Sequence, residues 1–135
     1  MVADALVDRK VEASERLAKE LVVRGSPLLA AYWDFREDAG QWTLVLVPTS
    51  SKEEQSLIEQ ASNLLVEQPY RSVFSLSDPA VDSGQIERAR ALGAYIRVEP
   101  YIGRRIDTTF TGGQYFESVI PVYFAPGLVT HLSVA

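Results

Sequence analysis

The stretch LLAAYWDFREDAGQWTLVLVP, residues 28–48, decides the fold of this chain. Apolar and polar residues alternate on both sides of EDAG, which predicts two antiparallel strands joined by a four-residue loop. Gly40 suits the end of such a loop, because a positive φ carries no steric penalty for glycine. The pairs expected from the loop outward are Arg36 with Gln41, Phe35 with Trp42, Asp34 with Thr43, Trp33 with Leu44, and Tyr32 with Val45.

Burial selects this register of the hairpin. Directly opposed residues share a face, and one face then carries only apolar side chains. They are Ala31, Trp33, Phe35, Trp42, Leu44 and Leu46. A shift of one residue would place Trp42 opposite Asp34 and mix the two faces. We therefore expect both tryptophans in the core and not in a ligand-stacking site.

An amphipathic helix is predicted before the hairpin, over about residues 3–24. Gly25 followed by Pro27 is typical of a helix end. We expect the apolar stripe of this helix to cover the hairpin, although it could also pair with another subunit. The stripe consists of Leu6, Val7, Val11, Ser14, Leu17, Ala18, Leu21 and Val22.

A second helix is predicted after the hairpin. Either Ser50 with Glu53 or Ser51 with Glu54 fits the capping-box pattern. The helix should fray near Gln68, because a proline follows that residue. Its expected buried stripe is Leu57, Ile58, Ala61, Leu64 and Leu65.

Residues 72–76 alternate as a short strand, and a third helix is predicted to follow it. Asp82 or Ser83 can cap this helix, and Gly93 should end it. Residues 95–101 then return to an extended conformation. The charged residues expected to point outward from the helix are Glu87, Arg88 and Arg90.

A second hairpin is predicted over residues 104–120, with Gly112-Gly113 as a two-residue turn. A three-residue loop would oppose the like charges of Asp107 and Glu117, which is unfavourable. The glycine turn avoids this contact. It pairs Phe110 with Tyr115, Thr108 with Glu117, and Ile106 with Val119. Pro121 should end the ladder, and the apolar tail should add a strand or seal one end of the core.

The predicted element order is α-β-β-α-β-α-β-β, which indicates a single α+β domain with a mostly antiparallel sheet covered by helices. At 135 residues the chain can bury about two thirds of the surface its unfolded form exposes. The stretch AAYWDFREDAGQWTLVLVP, with the helix before it and the glycine turn before QYFESV, resembles small uncharacterised bacterial proteins. That resemblance covers most of the chain in outline and implies no activity.

Composition narrows the function classes. Lys and Arg number 13 against 18 Asp and Glu, and the resulting net charge of −5 opposes general binding to phosphate backbones. The chain has no cysteine, and its one histidine, His131, has no partner for a typical metal or nucleophile constellation. No apolar run approaches the roughly 20 residues of a membrane span, and the charged N-terminal segment does not read as a signal peptide. We therefore expect a cytoplasmic protein without metal or cofactor.

One polar cluster is dense enough to be a candidate ligand site. Arg97, Glu99 and Tyr101 share a strand face, and Arg104 and Arg105 follow after a short link. Successive residues leave a strand on opposite sides, so only one of these last two arginines can join Arg97. The other should be exposed or paired with a nearby carboxylate. Carboxylates near the sheet are expected to be solvated, namely Asp34, Asp78, Asp82, Glu99, Asp107 and Glu117.

Three functions remain open at this point. The first is a non-enzymatic interaction or assembly module, expected as a homodimer formed by unpaired sheet edges and apolar stripes. The second is a small-molecule or anion-binding protein, which includes an enzyme, that uses Arg97, Glu99, Tyr101 and Arg104. The third is nucleic-acid binding through the same basic and aromatic patch, and the acidic charge balance ranks it last.

Overall fold

The computed structural model describes residues 8–36, 40–75, 78–96 and 103–126, which form one five-stranded sheet between helices. The elements in chain order are α1 (Asp8–Val23), β1 (Leu28–Arg36), β2 (Gln41–Pro48), α2 (Glu54–Leu65), α3 (Tyr70–Val73), β3 (Pro79–Val81), α4 (Ile86–Ile96), β4 (Ile106–Thr111) and β5 (Gln114–Phe124). The strand order is β3-β2-β1-β5-β4, and only the β2–β3 pair is parallel. The predicted α+β fold is confirmed. None of the helices within these ranges combines the length and the apolar character that crossing a membrane requires.

The first hairpin forms in the predicted register. All five predicted pairs, from Arg36 with Gln41 to Tyr32 with Val45, are present between β1 and β2. Trp33 is 0 % exposed and Trp42 is 8 % exposed. The indole Nε1 of Trp33 donates a hydrogen bond of 3.1 Å to Ser14 Oγ on α1. The first helix therefore covers the apolar face of the hairpin, as the sequence predicts.

The first core lies between this face and helices α1, α2 and α3. The helices contribute Leu17, Ala18, Leu21, Leu57, Ala61, Leu64 and Tyr70 to it. Val22, which the sequence places in the stripe of α1, is instead exposed. The helix ends as predicted at Gly25, which has a φ of +81°. The amide of Ser26 donates to the carbonyl of Leu21, and this bond closes the last turn.

The opposite face of the sheet is also buried, under α4. The ring of Tyr32 packs edge-on against Phe116 and parallel to Phe124, at centroid distances of 6.5 and 6.3 Å. Ala89, Leu92 and Ile96 of α4 complete this second core with Ala30, Val45, Val47, Ile106 and Val119. Gly93 is buried inside α4 and does not end it, which differs from the sequence prediction. Tertiary packing here outweighs the weak helix propensity of glycine.

The region after α2 departs most from the sequence prediction. The predicted strand at residues 72–76 is wrong, because the chain forms the short helix α3 and only later the strand β3. Tyr70 and Phe74 are four residues apart, so a helical turn brings their rings onto one face. These rings stack with centroids 6.3 Å apart. Neither predicted capping box forms, since no side chain caps the 3₁₀ turn Ser51–Glu53 or the start of α2.

Strand β5 runs through Pro121 to Phe124, so Pro121 does not end the ladder. The proline lies opposite Tyr32, where the pairing with β1 shifts by one residue. A bulge of this kind tolerates a residue without an amide hydrogen. Residues 122–124 therefore continue β5, and the tail adds no separate strand within the described residues. Residues 127–135, including His131, lie outside the described residues.

The second hairpin forms around the predicted Gly112-Gly113 turn. Phe110 pairs with Tyr115, and Ile106 pairs with Val119. Thr108 adopts a φ of +45° and is not among the paired residues. The predicted strand at residues 95–101 is wrong at its start, because Tyr95 and Ile96 belong to α4. Its remaining residues lie outside the described ranges.

Truncation of Trp42 tests the importance of the hairpin core. Trp42→Ala should lower the free energy of unfolding by about 3–5 kcal/mol, because it leaves a cavity against Phe35. Urea denaturation followed by circular dichroism measures this loss. Val23→Ala is the control, since this side chain is 85 % exposed and its truncation should cost less than about 0.5 kcal/mol. Equal effects of the two changes would contradict the burial of Trp42.

Candidate functional site

The predicted arginine cluster is described only in part. Arg97, Glu99 and Tyr101 lie outside the described residues. Arg104 and Arg105 are both exposed. Arg105 Nε donates to Asp107 Oδ1 at 2.6 Å, so this arginine is paired with a nearby carboxylate as the sequence suggests. The cluster as a ligand site stays a prediction.

Arg105 belongs to a network that holds β4 against β5. Its Nη2 donates to Ser118 Oγ at 3.3 Å, and Ser118 Oγ donates to Asp107 Oδ1 at 2.6 Å. The hydrogen bonds from Ser118 and Arg105 lower the pKa of Asp107, and the bond from Ser118 has the larger effect. The guanidinium carbon of Arg105 also lies 5.5 Å from the centre of the Trp42 ring. These contacts give Arg105 a structural role in holding β4 against β5.

A buried ion pair lies beneath α4. Asp34 is 5 % exposed, and Arg88 Nη2 lies 3.4 Å from both of its carboxylate oxygens. The guanidinium stacks 4.2 Å above the centre of the Phe116 ring, and its Nη1 donates to the carbonyl of Tyr115. The predictions that Arg88 points outward and that Asp34 is solvated are therefore wrong, because α4 covers this face of the sheet.

A polar recess of about 260 Å³ opens beside this ion pair. Asp34 and Asp82 both line it. Asp82 Oδ1 accepts the amide of Gly84 at 2.8 Å and so caps the turn before α4, as the sequence predicts. Both carboxylates of the recess are thus engaged by groups of the protein. Within the described ranges, no group of three or more His, Cys, Asp or Glu side chains is arranged to hold a metal ion.

An apolar groove lies between α2, α3 and β3, and we call it the α2–α3 groove. Its volume is about 790 Å³. Pockets that hold small molecules typically have volumes of about 300–1,000 Å³ and mostly apolar walls. The apolar wall here is formed mainly by Leu46, Ile58, Leu65, Val66, Phe74 and Val81.

The groove arises from a mismatch between a long helix and a short strand. The predicted stripe of α2 divides into two rows of side chains. Leu57, Ala61 and Leu64 enter the core, whereas Ile58 and Leu65 are only half-buried and line the groove. Strand β3 has only three residues, so the edge of the sheet ends before it can cover the second row.

Arg71 lies at this groove and is exposed. Within the described ranges, no hydrogen bond or ion pair joins its guanidinium to another side chain, whereas Arg88 and Arg105 each pair with a carboxylate. Glu67 lies one turn before it, and the contact between the two is the backbone bond from the Arg71 amide to the Glu67 carbonyl. The groove therefore combines an apolar wall with the positive charge of Arg71, which is available to bind a ligand.

The α3 wall of the groove is fixed to the rest of the fold. Tyr70 Oη donates to Glu20 Oε1 on α1 at 2.5 Å. Burial of Tyr70, together with this hydrogen bond, raises the pKa of its hydroxyl to about 12, and the same bond lowers the pKa of Glu20. Phe74 is held between the rings of Tyr70 and Trp33, with a centroid distance of 6.1 Å to Trp33.

The far end of the same wall is fixed at Asp78, which is buried and not solvated as predicted. Lys10 Nζ on α1 lies 2.9 Å from Asp78 Oδ2, which also accepts the amide of Ser75 at 2.9 Å. The carbonyl of Asp78 accepts the amide of Leu44. Helix α1 thus holds both ends of the segment that forms the groove, and the groove is preformed.

The sequence alone does not reveal this groove, because the alternation over residues 72–76 predicts a strand. The signal that could have revealed it is the i, i+4 spacing of Tyr70 and Phe74, which favours a helical turn. A second signal is Val66, an apolar residue that follows α2 directly and does not belong to the predicted buried stripe. It is 67 % exposed.

Tyr70→Phe tests the anchor of α3 through its pH dependence. Between about pH 10 and pH 12 the unfolded state loses the tyrosine proton and the folded state keeps it, so the contribution of Tyr70 to stability falls as pH rises. The wild type should lose about 1.4 kcal/mol of unfolding free energy relative to the variant between about pH 8 and pH 11. Urea denaturation at both pH values measures this difference. Tyr115→Phe changes an exposed ring and should follow the wild type; an identical pH dependence of all three proteins would contradict the anchor.

Comparisons with known proteins leave this site to be interpreted from its own chemistry. No protein-family model, curated protein or solved structure matches the chain. The resemblance to small uncharacterised bacterial proteins stays a prediction. The functional interpretation therefore rests on the shape, the apolar wall and the charge of the α2–α3 groove.

Proposed function

We propose that this protein is a non-enzymatic binding protein that holds an apolar small molecule in the α2–α3 groove. The observation that carries the proposal is a preformed apolar groove of about 790 Å³ at the β3 edge of the sheet. Its walls are anchored by Tyr70 at one end and by Asp78 at the other. A ligand would therefore enter a site that needs little ordering, which lowers the free-energy cost of binding.

The expected affinity follows from the area that a ligand buries. An aromatic-sized apolar group buries roughly 150–250 Å². At about 25 cal/mol per Å² this gives a gain of about 4–6 kcal/mol. Before the cost of association is subtracted, that gain corresponds to a dissociation constant between about 1 mM and about 0.04 mM. A longer ligand that also contacts Ile58 and Phe74 would bind more tightly.

Filling the groove tests the proposal. Nile red, a neutral apolar dye, should gain fluorescence on the wild-type protein. Ser62→Trp places a large ring in the groove and should weaken dye binding at least about tenfold, which is about 1.4 kcal/mol. Asn63→Trp adds the same ring at an exposed neighbouring position of α2 outside the groove lining, and it should leave binding unchanged. Equal binding by both variants would reject the groove as the site.

A second candidate function is self-association through the β4–β5 hairpin. Phe110 and Tyr115 are directly paired on this hairpin and are 72 % and 50 % exposed. They form an apolar patch beside β4, which is the last strand of the described sheet. Exposed apolar patches and open strand edges both favour association. The stripe of α1 packs on its own sheet, so this hairpin is a better candidate surface for the predicted homodimer.

Replacing both aromatic residues tests self-association. Wild-type protein should show a mass that rises from 15.0 kDa toward twice that value as concentration increases, because the aromatic patch becomes buried between copies. The double variant Phe110→Ser/Tyr115→Ser should remain at 15.0 kDa. Val23→Ser, on exposed α1 surface, should behave like the wild type. Sedimentation equilibrium measures these masses, and a concentration-independent wild-type mass of 15.0 kDa would contradict the homodimer.

A further inference from the structure

We infer that the ligand of the α2–α3 groove is a single-chain amphiphile with a carboxylate head group, which Arg71 binds. This inference rests on the proposed function, because it assigns a chemical class to the ligand of the same groove. Its basis is the guanidinium of Arg71, which pairs with no side chain of the described ranges and lies beside a wall that is otherwise mostly apolar.

The charge of the groove selects an anion. The protein carries a net charge of −5, so its overall field does not attract anions. Among the residues that the structure describes, no carboxylate pairs with Arg71, although Glu67 lies one turn away on the chain. A guanidinium binds a carboxylate through two parallel hydrogen bonds, and this geometry distinguishes it from an ammonium group.

The single positive charge of the described groove lining favours a ligand with one negative charge. Arg71 supplies the positive charge of the described groove lining, and its other polar side chains are the hydroxyls of Ser62 and Ser75. One guanidinium balances one negative charge. A carboxylate fits this balance, whereas a phosphate monoester carries close to two negative charges at neutral pH.

The shape of the groove selects a single acyl chain over a flat polar ligand. The wall runs from Ile58 and Leu65 on α2 to Phe74 and Val81 across the groove, and the groove is open to solvent beside exposed Arg71. A chain along this wall would bury its methylene groups while its head group stays at the water boundary. Each buried methylene group contributes about 0.8 kcal/mol in transfer experiments.

Four probes with the same chain and different head groups test the inference. Decanoate, decanol, decylamine and decyl phosphate are used to displace Nile red from the wild type at about pH 8, below their micelle concentrations. Decanoate should displace the dye at a concentration at least about tenfold lower than decanol, and decylamine should be the weakest. A tenfold or greater advantage of decyl phosphate over decanoate would overturn the assignment of a carboxylate.

Variants of Arg71 locate the head group. Arg71→Gln should abolish the advantage of decanoate over decanol and leave decanol binding unchanged. Arg71→Lys should keep part of the advantage, because the charge remains and the paired hydrogen bonds are lost. Arg90→Gln is the matched control, since Arg90 is exposed on α4 and lies outside the groove lining, and it should keep the full advantage.

The outcomes separate the two proposals. Failure of Nile red to bind, or equal binding to Ser62→Trp and Asn63→Trp, rejects the groove itself. Dye binding that Ser62→Trp blocks, combined with equal displacement by decanoate and decanol, supports the groove and overturns the carboxylate inference. Retention of the decanoate advantage in Arg71→Gln also overturns the inference, because another residue would then bind the carboxylate of decanoate.

Discussion

Burial of β1 on every side is the constraint on which the rest of the structure depends. Strands β2 and β5 pair with its two edges. Helix α1 packs on the face that carries Trp33, and α4 packs on the face that carries Tyr32. A charged group in the middle of such a strand is largely removed from water and needs a partner. Arg88 reaches Asp34 from α4 and supplies one. The ion pair thus fixes α4 above the centre of the sheet, since an unpaired buried charge would cost several kcal/mol.

The sequence predicted what depends on neighbouring residues and missed what depends on distant ones. The register of the first hairpin follows from the residues around its own loop, and it was predicted pair by pair. The position of β5 beside β1 follows from contacts between distant parts of the chain. Without these contacts, the sequence predicts that Asp34 is solvated and that Arg88 points outward, and both predictions are wrong.

The candidate groove shows the same limit. The sequence predicts the α2 stripe as one buried set, but its division into buried and groove-lining residues depends on where the sheet ends. That edge is β3, a parallel strand of three residues that carries almost no periodic signal. Tyr70 was likewise assigned no role, because its partner Glu20 lies on α1, 50 positions earlier in the chain.

The place of β5 in the sheet also sets the order in which the fold can be completed. The hairpin of β1 and β2 closes a short loop and can form on a microsecond timescale. The other edge of β1 pairs with β5, which begins at Gln114 and follows β2, β3 and β4 in the chain. This edge therefore stays unpaired until β5 has been synthesised. During synthesis, one edge and much of the aromatic surface of the hairpin therefore stay open until nearly all of the described chain has left the ribosome. The central strand β1 is paired on both edges in the folded protein, yet during folding its second edge stays open to aggregation.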